Sequence, residues 1–176
     1  NIIAIIWDFD KTLISEYMQT PLFEEYEIDA DMFWREVNEF PVKMQEKGIR
    51  VNSDTCYLNF LIKYAKDGRF KGLNNQKLFE YGEKLKFYDG IPEIFDKTKA
   101  IVDEAKYREY DIRVEHYIVS TGTAETIRGS KIKNYVDDIW GCELLEDKDE
   151  NGNLVINEII YALDNTSKTR ALFEIN

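Results

Sequence analysis

Ile2-Ile3-Ala4-Ile5-Ile6-Trp7-Asp8-Phe9-Asp10-Lys11-Thr12-Leu13 decides the fold. From Ile2 to Trp7 every residue but Ala4 is large and apolar, and nothing alternates. A strand written this way has both faces covered, as the central strand of a parallel α/β sheet does. At its carboxyl end stand two acids one residue apart, Asp8 and Asp10. A strand running straight from the core into carboxylates delivers them to the edge of the sheet, where α/β folds bind ligands.

Two carboxylates at this spacing concentrate negative charge, so they share a proton or hold a cation. A hard cation such as Mg²⁺ takes oxygen ligands and commonly shares its shell with a substrate phosphate. A carboxylate is also a nucleophile towards phosphorus. Its neighbour can protonate the leaving oxygen and then deprotonate water.

A second apolar strand is expected over Val114–Val119, running directly into Ser120-Thr121-Gly122-Thr123. A hydroxyl and backbone N–H groups at a strand-to-helix turn form a phosphate cradle, with Ser120 donating its hydroxyl and Thr121 and Gly122 their amides. Lys168, opening the last helix, supplies a cation for phosphoryl charge.

The composition agrees. The 176 residues are 44% apolar and carry a net charge of −11. That charge argues against nucleic acid and anionic membrane as partners, and no apolar run is long enough to span a bilayer. An acidic protein with an anionic substrate needs a local cation. Cys56 and Cys142 lie far apart, which fits neither a metal cluster nor a disulfide framework and suggests a reducing, cytoplasmic setting.

Between Leu13 and about Tyr88 the pattern is helical. Asp29 or Asp31 caps one helix, with Pro41 expected to bend or break it and Gly48 to stop it. Asn52, Ser53 and Asp54 offer a cap for another, on which Tyr57, Phe60, Leu61 and Tyr64 form one stripe. A third begins near Asn75. These aromatic stripes are read as internal packing. After Asp89-Gly90, a long amphipathic face runs from Ile94 to Ala105. Short helices are expected at Ala124–Arg128 and from about Ser130. Cys142–Glu146 and Leu154–Tyr161 read as a hairpin around an Asp/Asn/Gly turn. Asp164–Ser167 caps the last helix. His116, the single histidine, is expected to pack beside the sheet.

These motifs resemble a family. Trp7-Asp8-Phe9-Asp10-Lys11-Thr12-Leu13 is similar to motif I (D-x-D-x-T) of the haloacid dehalogenase superfamily. Val119-Ser120-Thr121-Gly122 is similar to its motif II, and Lys168 to its motif III lysine. The resemblance implies an α/β Rossmann-like core, residues 1–14 and 89–176, with a helical C1-type cap, residues 15–88, as in phosphoserine phosphatase-like members. It implies a Mg²⁺-dependent phosphatase for a small phosphorylated metabolite. Asp8 is then nucleophile and metal ligand. Asp10 is general acid/base, and its backbone carbonyl a second metal ligand. Thr12 holds the loop, Ser120 binds the phosphoryl group and Lys168 steadies its charge. The second acid, Asp10, favours phosphate chemistry over carbon–halogen cleavage. Glu16 and the arginines Arg35, Arg50 and Arg69 are weaker candidates for substrate contact.

One element of the family pattern does not occur. Motif IV, an acidic pair after a further strand, is absent, and Asp137-Asp138 stands in the wrong order to replace it. The expectation is that the C-terminal part of the core lies beyond Asn176, and that these residues alone bind Mg²⁺ weakly. A phosphotransferase or mutase on the same core, and a non-catalytic phosphate- or partner-binding domain, are the alternatives. Oligomeric state is left open.

Overall fold

The structure, a computed structural model, describes residues 1–176. One sheet runs in the order β1 (Ile2–Trp7), β2 (Arg113–Thr123), β3 (Asp138–Lys148), β4 (Leu154–Tyr161). β1 pairs in parallel with β2 from Ile2 opposite Arg113 to Trp7 opposite Ile118, and β2 pairs in parallel with β3. β4 returns antiparallel to β3 as the expected hairpin. The fold is therefore α/β with a mostly parallel sheet.

Within residues 1–176 β1 pairs on one side only, with β2, as the absence of the motif IV strand implies, and Ile2 and Ile3 are 58% and 47% exposed. The apolar run reports what a strand can bury on its faces, whereas its lateral neighbours depend on pairing with distant segments.

Between β1 and β2 come α1 (Thr20–Glu25), α2 (Ala30–Gln45), α3 (Cys56–Lys66), α4 (Asn75–Glu83), α5 (Glu93–Val102) and a 3₁₀ turn, Ala105–Tyr110. α2 is capped by Asp29, whose carboxylate accepts from the amides of Asp31 and Met32. It passes through Pro41 unbroken. Proline removes the N–H that would bond the Val37 carbonyl four residues back, and the Cys56 thiol on α3 donates to that carbonyl instead, at 3.7 Å. Gly48, at φ 74°, then turns the chain out of the helix as expected.

α3 is buried nearly all round. Its stripe of Tyr57, Phe60, Leu61 and Tyr64 lies inside. Phe33 of α2 is fully buried among Phe23, Trp34, Tyr64 and Phe70, with ring centroids 4.9 to 6.1 Å away. Burying one such ring contributes about 2–3 kcal/mol. The same apolar cluster extends into Leu144, Ile156 and Leu163 of the hairpin region, so the helices and the sheet share a core. Polar contacts fix the junction: the Ile156 amide donates to the Leu73 carbonyl, and Asn75 donates to Glu146 and to the Leu144 carbonyl.

α6 (Ala124–Gly129) follows β2, and α7 (Lys168–Ile175) closes the chain. No helix begins at Ser130. Its amide and hydroxyl both bond back to the Ile127 carbonyl and finish α6, and turns follow. α5 ends at Val102, short of the expected Ala105. Asp137 ties the start of β3 to β2: its carboxylate accepts from the His116 amide at 2.8 Å, and its own amide donates to the His116 carbonyl at 2.7 Å.

His116 is fully buried in β2. Trp7 Nε1 donates to its Nδ1 at 3.0 Å, which leaves the ring proton on Nε2, 2.8 Å from Thr98 Oγ1. Burial, and then the nearby Lys99, hold the imidazole below its ordinary value of 6.5, against the opposing pull of Asp137 and Asp96. The unfolded chain takes up this proton at higher pH than the folded one, so acid favours unfolding. The stabilisation is complete above about 6.5 and fades as pH falls through the lower folded value. In an NMR titration, the one histidine is expected to titrate below 6.5 in the folded protein. A value at or above 6.5 contradicts this packing.

Candidate functional site

β1 ends at Trp7 opposite Ile118, whereas β2 runs on to Thr123, so Ser120–Thr123 lie within the strand rather than in a turn after it, and α6 follows directly. Past β1, the Leu13 amide donates to the Phe9 carbonyl at 2.9 Å and Lys11 takes a left-handed φ of 59°. Such strain in a non-glycine residue persists where surrounding contacts fix it. The turn aims Asp8 and Asp10 differently. Asp8 is exposed, while Asp10 points inward and accepts from the Met18 amide at 3.0 Å.

Lys168, 160 residues away in sequence at the start of α7, places Nζ 2.8 Å from Asp8 Oδ1. The turn before α7 is held by Asp164, whose carboxylate accepts from the Ser167 amide, and by the Ser167 hydroxyl, which accepts from the Asp164 amide. The lysine has a defined approach to Asp8, and Asp8 Oδ2 keeps no hydrogen bond.

Asp10 is lifted to about 7, chiefly by burial. The Met18 amide opposes the shift, Asp8 adds to it, and Lys11 and Lys168 oppose it. A carboxyl group there changes charge near neutrality.

On the β2 side, Ser120 is buried and its Oγ accepts from the Gly122 amide at 3.0 Å. The Ser120 hydroxyl proton remains available, but the Gly122 amide is already engaged. A side chain at Gly122 would collide with Met18, the residue whose amide holds Asp10. Thr121 is half-buried, and its carbonyl accepts from the Tyr57 hydroxyl at 2.8 Å. Thr12 is exposed, and its tie to the loop is through the backbone, its amide donating a hydrogen bond to the Phe9 carbonyl at 3.2 Å.

A cleft of about 480 Å³ opens between these strand ends and the helices. Asp10, Thr121 and Gly122 line one side; Tyr17, Gln19, Trp34, Asp54 and Tyr57 are among the residues lining the other, with Asn165 from the turn before α7. Two contacts bridge its mouth. The Asn165 amide donates to Asp54 Oδ2 at 2.9 Å, and Asn52 Nδ2 donates to Asp164 Oδ2 at 2.6 Å.

Glu16, Arg35, Arg50 and Arg69 do not line this cleft. Arg69 is paired with Asp67 and Glu36 and stacked on Tyr64. Asp54 lines it, although the sequence reads it as a helix cap. Gln19, buried beside Met18, Leu22 and Phe23, also lines it, and an amide side chain next to this apolar stretch is the sequence signal for it.

No group of three or more His, Cys, Asp or Glu side chains is placed to hold a metal ion. Asp8 and Asp10 supply the smaller donor set that Mg²⁺ uses when waters and a substrate phosphate complete its shell. The residues present therefore fit a shared Mg²⁺, and do not by themselves enclose one. No helix is long and apolar enough to cross a membrane.

No protein-family model matches the sequence. A protein of Borreliella burgdorferi described only as uncharacterized is 37% identical over 187 residues, covering all of this chain and 65% of its own length. The chain thus spans about two-thirds of that relative. Among solved structures, a HAD family hydrolase from Salmonella enterica serovar Typhi matches with a TM-score of 0.58 at 16% identity, over 98% of this chain and 50% of that one. A phosphoserine phosphatase, solved as an analogue of its phospho-aspartyl intermediate, matches with a TM-score of 0.56 at 17% identity, over 98% of this chain and 69% of that one. Identities this low speak for the fold. The chain shares the α/β fold of these two structures.

Proposed function

We propose that the protein is a phosphomonoester hydrolase for a small phosphorylated metabolite, working through an aspartyl-phosphate on Asp8. What supports this reading is the approach of Lys168 Nζ, at the start of α7, to within 2.8 Å of Asp8 Oδ1, with Asp10 two residues on lining the cleft.

An Asp8 oxygen attacks phosphorus in line, and the ester oxygen leaves on the far side. Asp10 gives that oxygen a proton, and then takes one from the water that opens the acyl-phosphate. The Ser120 hydroxyl donates to a phosphoryl oxygen. Lys168 neutralises charge that grows on the transferring group and keeps the Asp8 carboxylate oriented. Asp8 and Asp10 would hold Mg²⁺, whose chemistry when bound would be further charge neutralisation. Residues 15–88 act as a lid over the cleft, gripping the core through Tyr57 and the Asn52 and Asp54 contacts.

The test is hydrolysis of p-nitrophenyl phosphate with Mg²⁺ by the protein and by its Asp8→Asn variant. Saturable turnover that needs Asp8 is expected. A folded protein that releases no phosphate, or a variant as fast as wild type, overturns the reading.

A further inference from the structure

If the phosphatase reading holds, the alcohol that leaves must fit the cleft beyond Asp10. The groups there share one electrostatic sense. The lining includes two carboxylates, Asp10 and Asp54, and no lysine, arginine or histidine. Asp54 accepts the Asn165 amide, and no lysine or arginine lines the cleft beside it.

Gln19 is only 7% exposed, and its Oε1 has no hydrogen-bond partner. A buried carbonyl without a donor is rare in a folded protein, and this one belongs to a residue that lines the cleft. The Trp34 ring has Tyr17 and Tyr57 each with centroids 5.9 Å away, and all three line the same space. Aromatic faces attract cations. Lys11, outside the lining, already sits 4.9 Å from the Tyr17 centroid while donating to the Ser15 carbonyl, and Lys168 is committed to Asp8.

An unmatched carbonyl, a carboxylate without an ion pair and the electron-rich rings of Trp34 and Tyr57 all call for a positively charged N–H donor. A substrate with a carboxylate on its alcohol side would meet acids and no counter-ion. We propose that the cleft takes the phosphomonoester of an amino alcohol, with its ammonium group held by Gln19 Oε1, Asp54 and the face of Trp34. Gln19 and Asp54 are then specificity-determining residues for the leaving group. The inference rests on the hydrolase reading for its phosphate end only.

The decisive comparison uses isosteres: ethanolamine phosphate against propyl phosphate, in which a methyl group replaces the ammonium. Calorimetric binding to the Asp8→Asn protein is expected to favour ethanolamine phosphate by about tenfold or more, the range of a desolvated cation contact. Gln19→Leu and Asp54→Asn, added singly, are expected to shrink that ratio. Serine phosphate, which adds a carboxylate, is expected to bind more weakly than ethanolamine phosphate. Equal affinity for the two isosteres, or a ratio that survives both substitutions, overturns the proposal. If p-nitrophenyl phosphate is hydrolysed but ethanolamine phosphate has no advantage, only this inference falls. If no ester is hydrolysed but the binding preference is present, the cationic site stands and the hydrolase reading falls.

Discussion

Asp8→Asn is expected to lower kcat for p-nitrophenyl phosphate by at least about a thousandfold, the scale seen when a covalent nucleophile is removed. The amide oxygen is a poor nucleophile and carries no charge, so no acyl-phosphate forms. Lys168 also loses the anion that Oδ1 presents to it at 2.8 Å. Because Asp8 is exposed at the strand end, the substitution is expected to leave the fold intact, which circular dichroism and the melting curve check. The ion pair is half in solvent, with side-chain exposures of 24% for Lys168 and 48% for Asp8, so its contribution to stability is small. A large loss of rate with little change in melting temperature is the expected combination. Loss of both together would mean that the residue props up the fold.

Gly129→Ala is expected to destabilise the protein by about 2–3 kcal/mol, although glycine-to-alanine in a helix ordinarily gains about 1 kcal/mol. The sign is set by how closely α4 and α6 approach. A Cβ at Gly129 would run into the backbone of Phe79, including its carbonyl oxygen, and a Cβ at Gly82 would run into the Thr126 carbonyl and the backbone of Gly129 and Ser130. Backbone cannot rotate away as a side chain can, so the helices must separate. For a chain of 176 residues this corresponds to a fall in melting temperature of roughly 5–10 °C. An unchanged or raised melting temperature contradicts the close packing. The two glycines join the helical block to the helix that follows Ser120-Thr121-Gly122, so the same separation is expected to disturb the cleft.

The elements that carry the site were legible because their signals are local. The apolar run into Asp8 and Asp10 and the strand into Ser120 needed no partner to be recognised, nor did the Asp/Asn/Gly turn of the hairpin. What was not legible depends on distant partners. Pro41 reads as a break, but the Cys56 thiol answers the Val37 carbonyl that proline leaves unpaired. Ser130 reads as a helix start, since a serine hydroxyl serves either end of a helix, and here it closes α6. Asp54 reads as a cap, but the turn at Asn165 draws its carboxylate to the cleft mouth. The meeting of Lys168 with Asp8 across 160 residues rested on the ordered resemblance, because neither residue signals the other.

In the proposed reaction the phosphoryl group passes to a side-chain oxygen of residue 8. The Asp10→Asn variant isolates that step. p-Nitrophenolate leaves without a proton, so the enzyme can still be phosphorylated, while the base that activates water is gone. Acid quenching of this variant during turnover, followed by peptide mass spectrometry, is expected to find one phosphoryl group on the Ile2–Lys11 segment, at Asp8, labile to hydroxylamine. A folded variant that turns over a burst of substrate with no phosphoryl group on Asp8 contradicts the account.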